Sequence, residues 1–352
     1  MFLSRCPLPS AAGLVRCQWK GWQLSLPGWV GAVLFGASLF VANPRSGAAE
    51  AQATVSWPNP APGVAASQYK YQKPTLQQAL TNRGLAFQMA EDTQRKIVGT
   101  MHPVETGHFL IFSAWNWSND ASLGDLCERM YQMLSQQFQV PAQEQVWIGK
   151  CPIYLFWDPA HYDRFISEID QSRILDPATA HANGYHATRG RFSYIVINGV
   201  SKFGRTADQA KIEFYHVLVH EGTHAFLDRY VSGRPLPVWV EEGLADFIAA
   251  SLVPQSEVNR KYVTATRSAL HNLETVNLLL EKKSDLTPAE YGLAQSLVRT
   301  LVNQDRNAMV RFLELMKEGK SEETALTESY HVSRREFVRA WAVLWQRELA
   351  VR

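Results

Sequence analysis

The chain has 352 residues, 46% of them hydrophobic, which is enough apolar content to bury a sizeable core and excludes disorder as its organising state. Its formal charge of +2 arises in the first 50 residues, where Arg5, Arg16, Lys20 and Arg45 face only Glu50. The remainder is close to neutral and has no long Lys/Arg run, so electrostatics gives no case for nucleic acid as a partner.

At the N-terminus, Arg5, Arg16 and Lys20 precede an uncharged stretch from Gly21 to Asn43, and small residues follow. Ala49-Glu50-Ala51 fits an A-x-A cleavage site, so residues 1–51 read as an export signal, with an uncleaved signal anchor as the alternative. Either reading places the body of the protein outside the cytoplasm, secreted or periplasmic, with a membrane reached only through this segment. Cys6 and Cys17 fall within it, and each follows an Arg, unlike a lipoprotein processing site. Cys127 and Cys151 remain, and the sequence leaves open whether they form a disulfide or stay as two buried thiols.

Residues 52–75 are rich in Pro, Ala, Ser and Gln without apolar periodicity and read as a linker. Beyond it, Gln77 to Gly99 is polar and helical in pattern, and His108 to Trp115 is an apolar extended run. Ser122, with Asp125 three residues on, reads as the start of an amphipathic helix ending near Phe138. Ile153 to Trp157 reads as a short strand bounded by Pro152, and Tyr162 to Ile169 as a helix. Phe192 to Asn198, β-branched and aromatic between two glycines, is the strongest strand signal. Thr206 and Gln209 cap a helix running to about Tyr230, and Trp239 opens another after Pro235 and Pro237. Later helix starts stand at Thr287 with Glu290 and at Ser333 with Glu336. The apolar positions Phe312, Leu313, Leu315 and Met316, then Phe337, Ala340, Trp341, Leu344 and Trp345, mark core-facing stripes. This layout predicts an α+β fold: a domain with a small mixed sheet over 76–270, followed by a helical subdomain over 271–352.

Chemistry concentrates inside the helix that contains His216-Val-Leu-Val-His220-Glu221-Gly222-Thr223-His224. Residues four apart share a helix face, so His220 and His224 can direct two imidazoles at one metal ion. Glu221 can serve as general base toward water without occupying that ion. A catalytic zinc also needs a third protein ligand, and Trp239-Val-Glu241-Glu242-Gly243-Leu-Ala245-Asp246 supplies acids at the start of the next helix. Glu242 is the expected third ligand, with Glu241 as its competitor. Asp246 lies on the face of Glu242 and is expected to hold the distal nitrogen of a ligand histidine. His216, one turn before His220, reads as a packed histidine or a contact behind the ligands, and His186 as a turn histidine or as part of a substrate-binding edge.

H-E-x-x-H followed by W-x-x-E-G-x-A resembles the gluzincins, the group of thermolysin and the zinc aminopeptidases. The 17 residues between His224 and Glu242 make a slightly shorter spacer than that of the aminopeptidase branch, and the exopeptidase motif G-x-M-x-N is absent. The chain is most similar to the secreted peptidase MA-like zincins, which share the two motif helices and a downstream Y-x-x-A-Q-S, here Tyr291 to Ser296. The resemblance spans residues 105–345 and is concentrated in the two motif helices. It implies a zincin-like catalytic domain, a zinc cofactor, a peptide or protein substrate, and a downstream Tyr, here Tyr291, as the group that meets the developing oxyanion. The expectation is an exported zinc endopeptidase. The alternatives are a catalytically silent zincin fold used for binding, or a zinc amidase acting on a non-peptide or cell-wall amide.

Overall fold

The computed structural model describes residues 74–114, 120–141, 144–170, 183–199, 206–283 and 285–351. The export signal, its anchor alternative and all but the end of the linker lie outside the described residues. Where the linker reading reaches Thr75, that residue already caps a helix. Among the described residues, no helix is long and apolar enough to cross a membrane.

The fold is α+β, mostly helical, around one mixed sheet. Five strands, β1 (His102–Glu105), β2 (Phe109–Ser113), β3 (Cys151–Leu155), β4 (Gly184–Arg189) and β5 (Phe192–Ile197), lie in the order β1-β2-β3-β5-β4. The inner pairs β2/β3 and β3/β5 are parallel, and the outer strands β1 and β4 join antiparallel. Helices cover both faces, so the inner strands read as unbroken apolar runs and not as alternation. Phe109, Ile111, Ile153, Leu155, Ile195 and Ile197 face the larger core, whereas Leu110, Phe112, Tyr154, Phe156, Tyr194 and Val196 face the smaller one.

On the smaller core lie α1 (Leu76–Thr93), α3 (Pro159–Arg164) and the wide turns that extend each of them. Thr75 and Gln78 form a reciprocal capping box at the start of α1. Small Ala86 and Ala90 let this helix settle on the sheet, and the Tyr154 hydroxyl donates to the Ala86 carbonyl at 2.9 Å. On the larger core lie α2 (Asp120–Gln137), α4 (Ala207–Leu227) and α5 (Val238–Leu252). They are followed by α6 (Glu257–Ala269), α7 (Leu273–Glu281), α8 (Pro288–Gln304), α9 (Arg306–Lys317), α10 (Glu322–Tyr330) and α11 (Arg334–Val351). The capping pairs expected at Thr206, Thr287 and Ser333 are all formed. The two apolar stripes of α9 and α11 are buried in the same core, apart from Leu344.

Three local readings are corrected. α2 already begins at Asp120, so Ser122 is a residue of its first turn and not its cap. Pro152 sits inside β3, paired with Leu110. The Cys151 N–H donates toward β2, so the missing N–H of Pro152 faces the side where β5 pairs only from Ile153 onward. β4 is a strand where the sequence suggests a turn, and it, not β5, is the sheet edge. Cys127 and Cys151 are both buried free thiols.

Lys317, at the end of α9, is only 3% exposed and its Nζ donates to the Arg234 carbonyl at 2.8 Å. Burial outweighs the attraction of Glu241 and Asp228 and pulls its pKa down to about 8. The unfolded chain therefore binds the extra proton more readily, and this contribution to stability rises as pH climbs from 8 to 10.5. Denaturant melts of wild type and Lys317→Met at pH 7 and at pH 10.5 should show wild type gaining about 3 kcal/mol on the variant across that window.

Candidate metal centre

The site is assembled by α4 and α5, which pack against each other beneath β4. His220 and His224 stand one turn apart on α4, and α5 presents Glu242 to both. His220 Nε2 and His224 Nε2 are 3.0 Å apart, and Glu242 Oε2 lies 3.2 Å from the first and 3.3 Å from the second. Glu242 Oε2 is buried and aligned for a hydrogen bond with neither. Three atoms that each bond one tetrahedral ion at about 2.0–2.1 Å stand about 3.3 Å apart, so this triangle has the dimensions of a ligand set. Among the described residues, these three form the group able to hold a metal ion.

Each imidazole has a carboxylate behind it. His220 Nδ1 meets Asp246 Oδ1 at 2.8 Å, which fixes the tautomer that leaves Nε2 free to ligate. His224 Nδ1 faces Glu241 Oε1 at 3.6 Å. Glu241 therefore stands behind His224 and outside the triangle, since α5 turns adjacent residues to different sides of His224. Asp246 occupies its expected place, and His216 extends the same cluster, with Nε2 3.6 Å from Asp246 Oδ1. The phenol of Tyr262 on α6 also faces Asp246, and burial together with that carboxylate raises its pKa. Nothing in the local sequence around Tyr262 signals this role.

Tyr291 is half-buried with its ring 6.2 Å from that of His220. Gln295, one turn later, donates to the Asp246 carbonyl at 3.1 Å and ties α8 to α5. Ser296 accepts the Trp341 indole N–H at 3.0 Å. Gly292 and Gly243 allow close helix approach: a Cβ on Gly243 would lie 2.5 Å from the Ala294 carbonyl, and one on Gly292 2.6 Å from the Tyr262 backbone. The glycine of E-G-x-A is thus the seat of α8 beside Glu242.

Glu221 and His186 lie beside the triangle. Glu221 is largely enclosed, and its Oε2 lies 4.0 Å from His186 Nδ1 on β4. The His186 ring is stacked on that of His224, with centroids 5.3 Å apart and planes at 18°.

The electrostatics favour positive charge in the triangle. Burial alone would deprotonate His220, but Asp246 and Glu242 overcome it and raise its pKa to about 10. Burial opposes protonation of His224 too, and Glu242 and Glu241 raise it well above the usual value. Asp246, Glu241 and Glu242 are all held below the carboxylate range against their own desolvation by the facing imidazoles. A dication bound by this triangle would replace imidazole protons, so its uptake would release protons and weaken as pH falls.

Comparison with protein-family models and with curated proteins returns no match.

Calorimetric titration with zinc at neutral pH should show net proton release in buffers of different ionisation enthalpy. Glu241→Gln should bind about 10–100-fold more weakly than wild type. Glu242→Gln should lose stoichiometric binding, and an unchanged affinity in that variant would remove Glu242 from the ligand set.

Proposed function

We propose that this chain is a zinc-dependent peptidase with a zincin-like fold, carrying zinc on His220, His224 and Glu242. The observation that carries this reading is the triangle of three donors with Glu221 beside it, in a cleft bordered by the edge strand β4. Two imidazole nitrogens and a single carboxylate match the donor preference of zinc, and three protein ligands are the number typical of catalytic zinc. Bound there, zinc supplies Lewis-acid polarisation of a carbonyl and acidification of water.

The protein's own groups then have separable tasks. Glu221 takes a proton from the attacking water and later returns it to the leaving amine. Its carboxylate is partly enclosed beside β4. Tyr291 offers a phenolic O–H to the oxyanion that develops on the carbonyl. Burial raises its pKa, and so do the charges of Glu242, Asp246 and Glu221, which keep it protonated as a donor at neutral pH. An extended substrate can align along the outer edge of β4, which pairs with no other strand among the described residues. The N-terminal basic and apolar segments support export, with protein substrates met outside the cytoplasm.

The test is metal content and proteolysis measured together on the purified chain. Wild type and Glu221→Gln should both carry a single zinc, while cleavage of a denatured protein falls by about 10²–10⁴-fold in the variant. Comparable cleavage by the two proteins would remove Glu221 as the base. Zinc in both with cleavage by neither would move the reading to a non-peptide amide or to a binding role. In an active enzyme, Tyr291→Phe should lower kcat by about 10²–10³-fold with little change in KM, as loss of an oxyanion donor does.

A further inference from the structure

We propose that His186 is a positioning residue for Glu221, holding the base carboxylate against the metal centre from the opposite wall of the cleft. The consequence for turnover rests on the peptidase reading; the contact itself rests on the register between β4 and α4.

β4 turns alternate residues toward α4. Gly184 faces Glu221, His186 faces His224, and the Thr188 hydroxyl donates to Asp228. Positions 221, 224 and 228 follow the three-and-four spacing of one helix face, so strand and helix run side by side along the site. Intervening Tyr185 and Ala187 enter the smaller core, which fixes the face that His186 presents. On the side of Tyr185, Asp170 accepts from Tyr185, Arg189 and, at 2.6 Å, Tyr194, anchoring the strand.

Gly184 is the enabling residue. A Cβ there would sit 3.3 Å from Glu221 Cγ and 3.0 Å from the Val196 carbonyl, so a bare backbone leaves room for the Glu221 side chain beside the strand. Two residues on, the His186 imidazole touches both halves of the chemistry. Its Nδ1 is 4.0 Å from Glu221 Oε2, and its face lies on the His224 ring. The donor atoms that converge are those of His220, His224 and Glu242, and His186 is not among them. The open distance to Glu221 closes with a small rotation of the carboxylate, as contacts to a base do when the cleft fills. His186 then donates its Nδ1–H to Glu221 Oε2, the oxygen it faces.

A double-mutant cycle tests this. His186→Phe keeps the ring on His224 and removes the donor, while His186→Gln keeps an N–H and removes the ring. The first readout is calorimetric affinity of the zinc-loaded proteins for acetohydroxamate, whose proton passes to a nearby base when it binds. His186→Phe should weaken acetohydroxamate about tenfold in wild type and leave it unchanged in the Glu221→Ala background. Turnover should fall about 10–100-fold with KM within about twofold, and His186→Gln should recover part of it. Zinc content should stay at the wild-type level throughout. Equal weakening in both backgrounds, or a raised KM at unchanged kcat, would overturn the assignment in favour of packing or substrate contact. If His186→Phe fails to fold, His186→Leu carries the same cycle. Because acetohydroxamate binding needs no turnover, an inactive wild type would refute the peptidase reading while the cycle still decides the role of His186.

Discussion

Asp246 is a buried carboxylate shared by two histidines of α4. It is 1% exposed, and its carboxylate is stable there because His220 Nδ1, His216 Nε2 and the Tyr262 phenol converge on it. A buried carboxylate with a single donor removed costs several kcal/mol, so α4, α5 and α6 are tied to one arrangement. Everything else in the site inherits that arrangement. The tautomer of His220 follows from the bond to Asp246, the position of Glu242 follows from being one helical turn before it, and the seat of α8 follows from Gln295 on its backbone.

The elements that carry chemistry were the most legible parts of the sequence. H-E-x-x-H placed two nitrogens on one helix face because the i,i+4 relation needs no tertiary knowledge. Choosing Glu242 over Glu241 also rested on spacing, through the shared face with Asp246, and both oxygens lie where that choice requires. What spacing could not show was the use of Glu241. Its side chain is assigned by the approach angle of α5 to α4, a property of the packed core. Tyr262 was invisible for the same reason: it meets Asp246 only after α6 folds back across Gly292.

The fold divides along similar lines. Capped helices and the run from Phe192 were readable because their signals are local. The short edge strands were not. β1 and β4 carry Pro103, Glu105, His186 and Arg189, whose polarity suits a sheet margin and mimics a loop. Pro152 misled for a related reason, because a proline ends a strand only where a neighbour needs its N–H. Here that neighbour begins one residue later.

The close backbone contact between Gly243 and Ala294 also sets a timetable. Chains are made from the N-terminus, and the two histidines become helical neighbours as soon as α4 forms. The third oxygen has no fixed address until α8, some fifty residues downstream of Glu242, has been made and packed against it. A partly synthesised chain therefore displays two imidazoles on a helix without a complete site. The three-donor group is complete only once the C-terminal half of the chain has been made and packed.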